Sequence, residues 1–277
     1  MNGVFFSGPQ RVFQDSIKML ERIPNFDAIV GVPRSGTIVA SFLATVLNSK
    51  LGFIDRSSGL VFFDGGYRVS FKSEVKSILL VDDVTTYANF VTNYKSFLKD
   101  YNVKTACIYI NPGSEPLVDY FSLVVERPRI FSWNLFNNDL LSQSCVDLDG
   151  VLCFDPTEEE NDDGENYLNF ISNVKVKFRC RYEIHSIVTN RLEKYRNETE
   201  LWLKRNNIKY RNLIMSPHKT KMERVKAKDY AIKKAEYFSK TNCSLFIESD
   251  EKQSFDIAKL SGKSVICSDK MVGFNTR

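Results

Sequence analysis

Short apolar runs alternate with helix-patterned stretches along the whole chain, and this alternation narrows the fold more than any other feature. FDAIVGV (26–32) precedes helical spacing over 36–48, and KSILLVDD (76–83) precedes helical spacing over 86–99. TACIYI (105–110) and FSLVVE (121–126) follow. After a polar break at Asn137, Asn138 and Asp139 the pattern restarts with SCVDLDGVL, SIVTN, NLIMS, SLFIES and SVICS. Apolar strands separated by amphipathic helices build parallel sheets with crossover helices, so the predicted class is α/β. A chain of 277 residues is long enough for two domains. The break predicts domains over 1–140 and 141–277, each a mostly parallel sheet flanked by helices. No repeat relates the halves.

Charge excludes some functions. The 38 basic and 34 acidic side chains nearly cancel, leaving a net charge of +4. That balance gives no argument for nucleic-acid or membrane binding. The N-terminus lacks the basic start and apolar core of a signal peptide, and no run is long enough to span a bilayer. Six cysteines form no C-x-x-C pair, which predicts reduced core thiols in a cytoplasmic protein. Two histidines, His185 and His218, are too few for a His-rich zinc site. The acidic run from Glu158 to Glu165 reads as a solvated loop, and the basic stretch 219–240 as the wet face of a helix.

Two strand–turn–helix junctions in the first half carry chemistry. LLVDDVTTYANFV (79–91) ends an apolar strand on Asp82 and Asp83 and then starts a helix. AIVGVPRSGTIVASF (28–42) turns through Gly31, Pro33, Arg34, Ser35 and Gly36. Open α/β sheets bind ligands beyond the carboxyl ends of their strands. Helix N-termini there suit phosphate, and Arg34 can fork onto phosphate oxygens. The paired acids would then serve sugar hydroxyls or a metal. Asp-Asp-Val-Thr-Thr resembles the donor-binding signature of the type I phosphoribosyltransferases, and VGVPRSG resembles their pyrophosphate loop. The resemblance covers roughly residues 5–136, with RIFSWNLF (130–136 at its core) similar to the aromatic end strand of the purine members. It implies 5-phosphoribosyl-1-pyrophosphate (PRPP) as donor, with Mg2+ chelated by the pyrophosphate. Asp82 and Asp83 would hold the ribose hydroxyls, while Thr85, Thr86, Tyr87, Ala88 and Asn89 would cradle the 5-phosphate. Arg34, Ser35 and Gly36 would meet the pyrophosphate, and a mobile loop is expected over 56–74. Asp83 is also the candidate base for an acceptor hydroxyl. Tyr87 and Ala88 stand where family members usually carry glycine after the Thr pair.

In the second half, SCVDLDGVLCFD (144–155) places Asp147 and Asp149 on one side of a strand end. Two such carboxylates can divide nucleophilic attack and proton transfer. SIVT ending at Thr189, a helix with Lys226 and Lys228, and LFIESD with Glu248 and Asp250 follow in order. This four-part order resembles the haloacid dehalogenase (HAD) superfamily over roughly 143–277. The resemblance implies Asp147 as nucleophile and Asp149 as general acid/base. It implies Thr189, Asn190 and Lys226, preferred over Lys228, as phosphoryl-binding residues. Asp147, Asp149, Glu248 and Asp250 would hold Mg2+. The 30 residues over 155–184 are too few for a cap domain, which predicts an open site for a bulky substrate.

A transferase that installs phosphoribose and a phosphatase that strips it would together deliver plain ribofuranose. The pair resembles bacterial bifunctional ribofuranosyltransferases of surface-polysaccharide (O-antigen or capsule) assembly. The partners implied are PRPP and a lipid-linked glycan acceptor at the inner face of the membrane, with no nucleic acid and with the oligomeric state open. Two alternatives stand beside it: a nucleobase phosphoribosyltransferase with a fused 5'-phosphatase, and a PRPP-sensing regulator.

Overall fold

The computed structural model describes residues 3–55, 57–63, 74–84, 94 and 96–277. The chain forms two compact units, Pro9–Arg127 and a second made of the segment up to Gly8 together with Pro128–Arg277. The short strand β1 (Phe5–Ser7) belongs to the second.

The first unit runs α1 (Pro9–Leu20), β2 (Ala28–Gly31), α2 (Gly36–Val46), β3 (Lys50–Asp55), β4 (Gly59–Phe62), β5 (Ser77–Val84), β6 (Asn102–Ile110) and β7 (Tyr120–Val124). Its six-stranded sheet has the order β4-β3-β2-β5-β6-β7, with β4 antiparallel to β3 and the other pairs parallel. Strands covered on both faces read as unbroken apolar runs. Accordingly Ala28, Ile29 and Val30 of β2 and Ile78, Leu79, Leu80 and Val81 of β5 are fully buried. From β2 the chain steps outward to β3 on one side, and β5 returns to the other. Strand order therefore reverses between β2 and β5, whose Gly31 and Val81 are paired.

The second unit contains β1, β8 (Arg129–Phe131), β9 (Ser144–Val146), α3 (Glu165–Asn173), β10 (Ile184–Leu192), α4 (Arg196–Arg205) and β11 (Tyr210–Ser216). It continues with α5 (Lys221–Ala227), α6 (Tyr230–Lys240), β12 (Leu245–Glu248), α7 (Glu251–Ser261), β13 (Ser264–Cys267) and β14 (Val272–Phe274). The sheet order is β11-β10-β9-β12-β13-β14, parallel except for β14. Here the reversal falls between β9 and β12.

All the apolar runs expected as strands are strands, and the α/β class holds for both units. The division differs from a single cut near 140. β1 pairs in parallel with β8, Val4 N donates to Ser264 Oγ (3.0 Å), and Arg277 N donates to Val4 O (3.0 Å). The N-terminal segment is thereby stitched to the far end of the sequence. The expected end strand RIFSWNLF is a correction of the same kind. Only Arg129–Phe131 is extended, a 3-10 turn follows over Ser132–Asn137, and Ile130, Leu135 and Phe136 pack in the core of the second unit. In the expected mobile loop, Gly59–Phe62 is an edge strand, while residues 56 and 64–73 lie outside the described residues. Most of the helix expected over 86–99 also lies outside them. Among the described residues no helix is long and apolar enough to cross a membrane, and all six cysteines are free thiols.

Candidate active sites

Ligands in open α/β sheets sit where strand order reverses, beyond the carboxyl ends. In the first unit that point carries both junctions singled out in the sequence. Gly36 begins α2 so close to the end of β5 that a Cβ there would meet Val81 O at 2.7 Å and Asp82 Oδ1 at 2.9 Å. Replacing Gly36 with Ala must push α2 off the strand end. The expected cost is about 1–3 kcal/mol of stability, together with about a 100-fold loss of any PRPP-dependent activity through misplaced groups. Urea unfolding and PRPP consumption would measure the two effects.

Ser35 stands at the N-cap of α2, yet its side chain makes no capping bond; its Oγ donates to Asp83 Oδ1 at 2.9 Å. The first amides of α2 are thus left uncapped by Ser35, the arrangement that receives an anion. Arg34 beside them is exposed, and the Pro33–Arg34 peptide is cis. Asp83 is buried, and Asp83 N donates to Asp82 Oδ1 at 2.8 Å. Burial first, and then the charge of Asp83, pushes the Asp82 carboxyl up to about 9. Both causes favour the protonated form of Asp82 beside its neighbour. The structure brings Arg34, Ser35, Gly36, Asp82 and Asp83 to one sheet edge. Thr85, Thr86, Tyr87, Ala88 and Asn89 lie outside the described residues.

A raised carboxyl has a defined consequence for folding. Asp82 releases its proton near its ordinary value of 3.8 when unfolded and near about 9 when folded. Between those limits the folded chain binds more protons, so this contribution to stability falls as pH rises. Urea unfolding from about pH 5 to about pH 9 should show stability declining by a few kcal/mol, and Asp82→Asn should flatten the decline. A wild-type profile as flat as that of the variant would remove Asp82 from this role.

In the second unit the reversal point carries a tighter cluster. Asp147 follows β9, and its N donates to Ile247 O of β12 at 2.9 Å, which sets it beside Glu248. Between the two carboxylates lies Lys234 from α6, 1% exposed, with Nζ donating to Asp147 Oδ2 (2.8 Å) and Glu248 Oε2 (2.6 Å). Burial pushes the Asp147 carboxyl well up and Glu248 adds to this, while Lys234 opposes it. Burial alone would lower the Lys234 ammonium, but the two carboxylates outweigh it and hold it above its ordinary value. Asp147 Oδ1 is buried without a hydrogen-bond partner among the described residues. Glu248 Oε1 accepts from Ser249 N and Asp250 N (3.1 and 3.3 Å). Asp250 caps α7, accepting from Gln253 N at 2.7 Å. Asp149 is gripped by the buried Arg191, whose Nε reaches both oxygens (3.1 and 3.0 Å) and whose Nη2 reaches Oδ1 (2.6 Å). Gly150, at φ +78°, turns the chain sharply where a side chain would strike Ser249 and Asp155.

These groups line a cavity of about 410 Å3 that takes in Asp147, Asp149, Thr189, Asn190, Glu248 and Asp250. Lys226 is corrected: it is exposed on α5 and does not line the cavity, and Lys228 ends that helix in the left-handed conformation. A new helix starts after Lys228, and its register turns Lys234 inward instead. Arg224 is the one basic residue among those lining the cavity. Its Nη1 donates to Asn190 O at 2.7 Å, and its Nε is buried without a partner among the described residues. The segment 155–184 folds only one helix, yet it walls the cavity with Asp155, Asn161 and Tyr167. The acidic run within it is not merely solvated. Asp163 accepts from Tyr195 Oη (2.9 Å) and Lys221 N (3.0 Å) and pairs with Lys194 (2.9 Å), while Asp162 accepts the first amides of α3.

Five carboxylates line this cavity, so a phosphate entering it meets excess negative charge and a divalent cation would relieve it. Among the described residues no three His, Cys, Asp or Glu side chains converge on one metal position. Arg191 takes up Asp149, and Lys234 with two amides takes up Glu248. Asp147, with its open oxygen, Asp155 and Asp250 remain, so only Asp147 and Asp250 are left of the four carboxylates expected to hold a cation.

Solved structures similar to this chain include the purine phosphoribosyltransferase of Pyrococcus horikoshii, with 23% identity, 48% of this chain and 95% of that one covered, and a TM-score of 0.36. The xanthine-guanine-hypoxanthine phosphoribosyltransferase of Helicobacter pylori matches with 17% identity over 47% of this chain and 93% of that one, at a TM-score of 0.38. The orotate phosphoribosyltransferase of Aeropyrum pernix matches with 18% identity over 41% and 68%, at 0.32. No protein-family model matches the chain. No curated protein matches it either.

Proposed function

We propose that the chain is a bifunctional glycan ribofuranosyltransferase. Its first unit transfers 5-phosphoribose from PRPP to a sugar hydroxyl of a surface-polysaccharide acceptor, and its second hydrolyses the 5-phosphate. One observation carries the reading: each sheet reverses its strand order at a pair of acids set beside groups suited to phosphate, Asp82 and Asp83 in one unit and Asp147 and Glu248 in the other.

In the first reaction the C1–pyrophosphate bond breaks and a C1–oxygen bond to the acceptor forms. Asp82 and Asp83 would hold the ribose hydroxyls, and the uncapped start of α2 with Arg34 would receive the pyrophosphate. The acceptor proton passes to Asp83 or to the departing pyrophosphate. In the second, the Asp147 carboxylate attacks phosphorus, the ester bond to ribose O5 breaks, and water then hydrolyses the acyl phosphate. Asp149, held in place by Arg191, would pass the proton to the departing O5. Lys234 restrains Asp147 and offsets its charge, while Thr189, Asn190 and Arg224 would meet the phosphoryl oxygens. Bound Mg2+ would supply charge neutralisation at Asp147 and Asp250, and with the pyrophosphate in the first unit.

The test is incubation of the full chain with PRPP, Mg2+ and acceptor oligosaccharides. Mass spectrometry is expected to find one unphosphorylated pentose added; no pyrophosphate release across the panel would reject the transferase reading. The phosphate-binding assignment has its own check. Arg224→Ala should raise KM for phosphomonoester hydrolysis by about tenfold or more, the worth of a charged hydrogen bond. Lys226→Ala should stay within about twofold, as for a solvated lysine.

A further inference from the structure

We propose that a second cavity, adjoining the Asp147 site, binds a neutral sugar ring of the glycan whose phosphoester is hydrolysed. It measures about 820 Å3 and shares Asp155, Ser249 and Asp250 with the catalytic cavity. A phosphoryl group held at Asp147 therefore has room for its alcohol portion on this side. This direction rests on the phosphatase reading of Asp147.

The walls state what kind of group fits. Phe255 of α7 is 51% exposed, and it is braced by Phe274 of β14 in a T-shaped contact with centroids 5.9 Å apart. A ring held this way offers a fixed apolar surface at little entropic cost. Around it stand the acceptors Glu251 and Asp269 and the donors Lys252 and Lys270. Lys177 anchors Asp269 at 2.8 Å. Sugars present a C–H face to an aromatic ring and hydroxyls to charged donors and acceptors, and this cavity supplies both. With Lys177 counted on Asp269, three lysines stand against four carboxylates here, Asp155, Asp250, Glu251 and Asp269. That balance disfavours a second anionic group and favours a neutral polyhydroxylated ligand. A lipid tail would require a continuous apolar wall, which the rim of charged groups interrupts.

Calorimetry on the full chain carrying Asp147→Asn, so that ester is not consumed, tests the assignment with three probes. These are a disaccharide bearing 5-phosphoribose, methyl 5-phosphoribofuranoside and uridine 5'-monophosphate. Phe255→Ala is expected to weaken the disaccharide probe about tenfold and to leave the methyl riboside within about twofold, with Phe255→Tyr retaining wild-type affinity. Equal loss for both sugar probes, or no loss for either, would overturn the subsite. So would uridine monophosphate binding as tightly as the disaccharide with the same dependence on Phe255, since that marks a nucleoside site. If the wild-type chain hydrolyses none of the three while the disaccharide keeps its Phe255 dependence, the phosphatase reading fails and the sugar subsite stands.

Discussion

Under the proposed function, Asp147→Asn is expected to leave the transferred pentose phosphorylated. The amide keeps the shape of the side chain but lacks the nucleophilic carboxylate, and losing the nucleophile of a covalent route costs about 10^4-fold or more in turnover. The fold should tolerate the change, because the native carboxyl is already opposed by burial and by Glu248. Transfer from PRPP, which depends on the other unit, should continue at the wild-type rate. Mass spectrometry of the acceptor would then find phosphoribose where the wild type leaves ribose. An unphosphorylated product from the variant would remove Asp147 from the role of nucleophile.

Lys234→Met is expected to be strongly destabilising to the second unit. The ammonium lies 2.8 Å from Asp147 and 2.6 Å from Glu248 and is 1% exposed. Without it two buried carboxylates face each other with no counter-ion, and breaking such a group costs about 3–5 kcal/mol. The loss should shrink in acid. With Lys234 gone, Asp147 is pushed still further up, so the folded state gains relative stability as pH falls and loses it as pH rises. Adding Asp147→Asn to Lys234→Met should return more than about 1 kcal/mol, since one of the stranded charges is then removed. Urea unfolding of the two single variants and the double variant measures this. Strictly additive losses would show that Lys234 and Asp147 do not act as a pair.

The sequence made parts of this arrangement legible. Strands buried on both faces appear as continuous apolar runs, so β2, β5, β9 and β12 and the acids at their ends could be read directly. What depends on register could not. Lys226, Lys228, Lys233 and Lys234 share one basic stretch, and the left-handed Lys228 between α5 and α6 decides which of them turns inward. A signal was present, because Lys234 lies on the apolar stripe Ala231, Ala235 and Phe238, where a solvated lysine has no place. Arg191 carries no comparable signal: the apolar run SIVT stops at Thr189, yet β10 continues to Leu192 and the charge is interior. The pairing of β1 with β8 joins residues far apart in sequence, and no local pattern announces it.

That pairing bears on how the protein is made and dissected. During synthesis β1 must wait for a partner strand produced more than a hundred residues later, while Pro9–Arg127 contains all the strands of its own sheet. A single cut near residue 140 would strip the downstream piece of β1. Excising Pro9–Arg127 would keep every strand of the second unit only if Gly8 and Pro128 were rejoined by a linker long enough to run back along the parallel β1–β8 pair.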